Sequence, residues 1–68
     1  MRKGDMRRFL PEIRAGSVHT QRVAGQTFVV LDASSDSAWV SFLIEDRVER
    51  GWGYEWVELN SEVVSESQ

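Results

Sequence analysis

The chain has no cysteine, a single proline, a single histidine and no long apolar run. Without cysteine there is no disulfide framework and no thiolate zinc site, and the composition fits a reducing compartment. The apolar stretches are a few residues long, against the ~20 that a helix needs to span a bilayer. Met1-Arg2-Lys3-Gly4-Asp5 is a basic start with no apolar region behind it, which argues against a signal peptide. The expected location is therefore cytoplasmic, with no membrane partner. At 68 residues the chain reads as one domain, 1–68, with 65–68 as a frayed tail. A chain of that length buries only about 60% of the surface its unfolded form exposes.

Catalytic and metal constellations are equally sparse. Ser17 and His19 could pair as nucleophile and base, but nothing recognisable supplies an orienting group or an oxyanion hole. Asp32, Ser34 and Asp36 have the spacing that opens a calcium loop. The loop then requires glycine and glutamate where Ser37 and Leu43 stand, so a capped turn is the better account. Gly51-Trp52-Gly53 lacks the third glycine and the following helix of a phosphate-binding fingerprint. The expectation is a non-enzymatic protein with no cofactor and no metal.

The net charge of −3 conceals an asymmetry. Residues 1–25 carry +4, with Arg2, Lys3, Arg7, Arg8, Arg14 and Arg22 against Asp5 and Glu12. Residues 26–68 carry −7. Such separation marks either a basic contact face on an acidic body or two halves that neutralise each other once folded.

Most of the chain reads as short strands separated by turn residues. Gly4 to Phe9 alternates, with Met6 and Arg8 on one face and Arg7 and Phe9 on the other. Leu10 to Gly16 is a connection in which Pro11 could open one helical turn and Gly16 close it. Ser17 to Val23 is a strand candidate, and Ala24-Gly25 a tight turn. Gln26 to Asp32 contains Thr27-Phe28-Val29-Val30-Leu31, too continuously apolar for a strand with one wet face, so it is placed centrally. Ala33 to Ser37 is a polar turn. Ala38 to Glu45 puts Ala38, Val40, Phe42 and Ile44 on one face and Trp39, Ser41, Leu43 and Glu45 on the other. These two strands should form the central antiparallel hairpin. Residues 46–53 read as a charged loop, Tyr54 to Glu58 as a strand, Leu59-Asn60-Ser61 as a turn and Glu62 to Ser65 as the last strand.

Three segments carry a resemblance: Lys3-Gly4-Asp5-Met6-Arg7-Arg8-Phe9, Ala38-Trp39-Val40-Ser41-Phe42-Leu43, and Trp56-Val57-Glu58-Leu59-Asn60-Ser61-Glu62-Val63-Val64-Ser65. In order and character they resemble the small SH3-like barrel proteins of bacteriophages and prophages. The resemblance implies an all-β fold, a small SH3-like five-stranded antiparallel barrel. It implies no activity, because that architecture hosts many unrelated binding roles.

Function then rests on surface anchors. Trp52, Tyr54 and Trp56 alternate, and a strand through them would turn all three to one face. Trp39 is out of phase with Val40 and Phe42, so at least one tryptophan should lie partly outside. Aromatics and arginine are favoured anchors in protein interfaces. The primary expectation is a protein-binding module, acting on a host or virion protein, whose contact residues are Trp52, Tyr54, Arg47, Glu49, Arg50 and Trp39. The alternative is nucleic-acid binding through Arg2, Lys3, Arg7, Arg8, Arg14 and Arg22, or an acidic nucleic-acid mimic acting through the carboxylates of 45–62. Nucleic acid ranks second because the aromatics sit among acids and the pI is near 5.0. A homodimer that buries spare tryptophans is compatible with either reading.

Overall fold

Apolar side chains at every second position line up on one side of a strand, and that alternation sets the inward face of the sheet. The computed structural model describes residues 1–33 and 38–66. Its strands are β1 (Met6–Phe9), β2 (Thr27–Ala33), β3 (Trp39–Ile44), β4 (Arg47–Gly53) and β5 (Ser61–Ser65). They form a five-stranded antiparallel sheet in the order β4-β3-β2-β1-β5. β2 is the middle strand, as its continuous apolar run requires. It pairs with β3 as the expected hairpin, with Val29 opposite Leu43 and Val30 opposite Phe42. Residues 34–37 of the turn between them, including Ser34 and Asp36 of the calcium-like spacing, lie outside the described residues, as do Ser67 and Gln68 of the tail.

The inward face holds Phe9, Phe28, Val30, Val40, Phe42 and Ile44, all at most 1% exposed. Three phenylalanines from adjacent strands meet there. Phe9 stacks on Phe28 with ring centres 4.4 Å apart, and Phe42 lies 4.8 Å from Phe28 and 5.7 Å from Phe9. Register shifts at Met6/Arg7, Val30/Asp32 and Val40/Phe42 bend the strands and increase their twist. The sheet is not closed. β4 and β5 are its edges, and α1 (Tyr54–Leu59) connects them, packing against β3, β4 and β5 with Val57 fully buried.

Several expectations are corrected. Ser17 to Val23 is not a strand; Thr20–Val23 is a 3-10 turn that buries Val23. Its start is tied locally: the Ser17 N–H donates to Thr20 Oγ1 at 2.7 Å, and that hydroxyl donates back to the Ser17 carbonyl at 2.9 Å. Such side-chain bonds offer the backbone an alternative to a sheet ladder. No helical turn forms at Pro11, and the positive φ falls on Ala15, at 55°, rather than on Gly16. Gly16 is needed for space instead, since a Cβ there would meet Thr20 Oγ1 at 2.4 Å and Ile13 Cγ2 at 2.9 Å. At the start of the chain Gly4 lies in a turn, with φ 92°, and the strand begins only at Met6. Residues 46–53 are not a loop but β4, and Tyr54 to Glu58 is helical rather than extended. Ser65, assigned to the tail, still pairs with Met6. Five strands are present as expected, but β4 is a member that the sequence reading missed.

The β3–β4 connection explains that miss. Ile44 pairs with Arg47 across a two-residue turn, Glu45-Asp46, whose φ values are 47° and 61°. Two successive positive φ angles are the type I′ geometry that ordinarily calls for Asn-Gly. Here the turn carries two acids and is held by Arg47, whose Nη1 lies 3.0 Å from Glu45 Oε2. Left-handed non-glycine residues cost on the order of 1 kcal/mol each. The double substitution Glu45→Asn, Asp46→Gly should therefore stabilise the domain by about 1 kcal/mol and raise Tm by about 4–8 °C. Calorimetry checks this, and a lowered Tm would contradict it.

Candidate functional site

Two tryptophans reach from the core to the surface because they leave adjacent elements at different periods. Trp52 sits on β4 opposite Val40, and Trp56 sits on the first full turn of α1. Had the strand continued through 56, Trp52 and Trp56 would stand four residues apart along it. The turn into helix after Gly53, which is extended at φ −61° and ψ 126°, brings their ring centres to 5.5 Å. Both rings also approach Phe9, at 6.2 Å, and Trp52 meets Phe42 edge-on at 5.3 Å. The pair is thus the outer end of the buried aromatic cluster, and both residues are half-buried.

A shallow groove of about 370 Å³ runs over this end. Its floor is Trp52, Gly53 and Trp56; Arg50 and Gly51 form one wall, and His19 and Thr20 from the 3-10 turn form the other. Thr20–Val23 is held beside β4 by burial of Val23, which places the long 10–25 connection against the tryptophans. One indole nitrogen is engaged at its margin: Trp56 Nε1 donates to the Ala15 carbonyl at 3.1 Å. The Trp52 indole lies near enough to the Glu49 carboxylate to favour its charged form. What the groove offers a ligand is chiefly ring face.

Glu49 is the electrostatic pivot beside it. Arg47 Nε donates to Glu49 Oε1 at 2.9 Å while Nη1 reaches Glu45. Glu49's carboxyl is held below its ordinary range, first by the Arg47 hydrogen bond. Partial burial opposes this, and the Trp52 indole and the charges of Arg47 and Arg22 add to it. A carboxyl depressed in the folded state stabilises the fold above its unfolded pKa, and that contribution is lost as pH falls through the folded value. The group is a quarter exposed, so the effect should stay under about 1 kcal/mol. Glu49→Gln is expected to lower stability at pH 7, with the difference from wild type shrinking as pH falls below the ordinary carboxylate range, as read by urea unfolding across that range. A constant difference across that range would contradict the assignment.

Of the residues singled out from sequence, Trp52 and Arg50 line the groove. Arg47 and Glu49 lie next to it as an ion pair. Tyr54 is directed elsewhere: its hydroxyl accepts a hydrogen bond from the Met1 nitrogen at 2.6 Å. Trp39 is 60% exposed at the start of β3, opposite Gly53, and is not part of the groove lining. Sequence reasoning missed Trp56, His19 and Thr20. Trp56 carried a signal, the aromatic cluster, but it was read with the wrong period. His19 and Thr20 are more than thirty residues from Trp52 in the chain, and no local pattern announces that approach.

The N-terminal cations do not form one surface. Arg7 is buried, with Nε donating to Ser61 Oγ at 2.8 Å and Nη2 to the Ser61 and Glu58 carbonyls at 3.2 and 3.4 Å. Arg8 points to the other face and pairs with Glu62 at 2.6 Å. Arg2, Lys3 and Arg14 are exposed. Arg22 lies 3.5 Å from His19 Nδ1, beside the groove. Ser17 and His19 are not joined either; Ser17 Oγ accepts from the Thr20 N–H at 3.4 Å. Among the described residues no cluster of three or more His, Cys, Asp or Glu could hold a metal ion, and no helix is long and apolar enough to cross a membrane. Comparison of the chain with protein-family models, with curated proteins and with solved structures finds no match.

Proposed function

We propose that this chain is a non-enzymatic protein-binding module whose contact surface is the Trp52–Trp56 groove. The observation that carries the reading is the pair of half-buried indoles, 5.5 Å apart, whose ring faces form the floor of a groove. Flat, rigid aromatic surface next to an arginine is the composition that anchors protein interfaces. The groove is shallow and open to solvent, so it accepts one or two side chains of a partner rather than enclosing a substrate. In this reading the fold is a small SH3-like barrel of the phage type, a proposal supported by the strand order β4-β3-β2-β1-β5 and by a helical turn bridging the two edge strands. The contact set moves accordingly. Trp52, Trp56 and Arg50 bind, Arg47 and Glu49 hold the wall, and Tyr54 and Trp39 stand outside it.

A tagged pull-down from bacterial lysate, with and without nuclease, tests this when run beside Arg50→Glu and Trp52→Leu. A protein retained after nuclease treatment and lost with both variants, each shown by circular dichroism to be folded, supports the module. Retention that disappears with nuclease, or that both variants leave intact, defeats it.

A further inference from the structure

The groove's walls carry charge of one sign, and that charge is unspent. Arg50 lines it and makes no ion pair among the described residues. Arg22, 3.5 Å from His19 Nδ1, likewise makes no ion pair among the described residues and acts on Glu49 only at longer range. The nearest acid, Glu49, is already bound by Arg47. This matters in a protein whose net charge is −3. At long range the net charge disfavours an anionic partner, so what holds one here must act at contact distance.

We infer that the groove selects an acidic peptide segment of a partner protein, with one apolar side chain seated across Trp52 and Trp56 and carboxylates on either side of it. The inference rests on the protein-binding reading above and adds the partner's chemistry. Three features converge on it. Two ring faces form the floor and the Trp56 N–H is already committed to Ala15, so the central contact is apolar. Arg50 lines the groove and Arg22 lies 3.5 Å from the lining residue His19, neither in an ion pair among the described residues, so the flanking contacts are anionic. The two indoles lie 5.5 Å apart in the lining, a floor that fits one apolar side chain of a crossing peptide. A nucleic acid would also bring anions and flat rings. The exposed acids Glu55 and Glu58, next to Trp56 in the chain, disfavour a long polyanion more than a short peptide.

A displayed library of random dodecapeptides, panned on wild type, Trp52→Leu and the double variant Arg22→Glu, Arg50→Glu, tests this with the fold of each protein checked by circular dichroism. A fluorescein-labelled dT12 oligonucleotide is titrated in parallel. The expected result is enrichment of peptides rich in Asp and Glu around a single apolar residue, lost with Trp52→Leu. Affinity of a synthesised winner should fall about tenfold in the double charge reversal, the scale of two rim charge contacts removed and made repulsive. Enrichment of neutral or basic peptides that still depends on Trp52 would overturn the acidic partner and leave the groove as a binding site. No Trp52-dependent enrichment would remove both, and dT12 binding abolished by Trp52→Leu in that case would assign the groove to single-stranded nucleic acid.

Discussion

Phe42→Ala is expected to lower the unfolding free energy by about 3–5 kcal/mol. Phe42 has no exposed surface and is the central ring of the core, within 5.7 Å of Phe9, Phe28 and Trp52. Truncating a buried phenylalanine costs about 3–5 kcal/mol, from lost transfer free energy and from the cavity left behind. At roughly 0.05–0.15 kcal/mol per residue, a domain of this length has about 3–10 kcal/mol in total. One substitution therefore removes a third to all of it. No side chain can swing in to fill the space, because the neighbouring rings belong to three different strands whose register is set by backbone bonds. Urea unfolding followed by tryptophan fluorescence measures the loss, and Phe42→Leu should retain more than half of the wild-type stability. A midpoint for Phe42→Ala within experimental error of wild type would mean that the aromatic cluster is not what holds the sheet together.

The second large effect separates two adjacent arginines. Arg7→Ala should cost about 2–4 kcal/mol and Arg8→Ala less than about 0.5 kcal/mol. Arg7 ends on the inward side of β1 and ties that strand to the start of β5 through three hydrogen bonds. Bonds from a charged donor contribute about 1.5–3 kcal/mol each, and their removal leaves carbonyls without a donor. The figure stays below their sum because the side chain borders an open polar hollow of about 260 Å³ that water can enter. Ser61 also keeps its own bond, its hydroxyl donating to the Val57 carbonyl at 2.6 Å. Arg8, by contrast, makes one exposed ion pair whose two side chains are each about half accessible, and such pairs contribute little. Thermal unfolding of the two variants under identical conditions gives the comparison. Equal shifts would show that Arg7 is not structural. Arg7→Met, which keeps the apolar stem, should recover part of the loss. The same contrast bears on nucleic acid: a cation committed to Ser61 and Glu58 has no phosphate to meet.

Asn60 shows how the loops are fixed. It is buried, its Oδ1 accepts from the Arg14 N–H at 2.7 Å, and its Nδ2 donates to the Arg14 and Trp56 carbonyls at 3.2 and 3.0 Å. One side chain thereby closes α1 and pins the 10–16 connection beside the groove. From sequence, Asn60 was only a turn residue, and a polar residue at a turn gives no sign of being buried.

The sequence by itself determined the alternation of β1, the inward residues of β2 and β3, the central place of β2, the β2–β3 hairpin and that a tryptophan out of phase with the core, Trp39, lies outside it. Each of these follows from a period of two, which is a property of neighbouring residues and survives without tertiary context. It also determined that the aromatics crowd into 39–56. Only the tertiary structure decided that β4 begins directly after a turn made of two acids, that Tyr54–Leu59 is helical, and that Ser17–Val23 is not a strand. The physical reason is length. A six-residue helix is below the size at which helical periodicity or intrinsic propensity stabilises itself, so its state is set by the burial of Val57 in the gap between the edge strands. The groove follows from that choice. Trp52 and Trp56 share a floor because one lies on a strand and the other on a helix, and the side chains opposite them come from a turn more than thirty residues away.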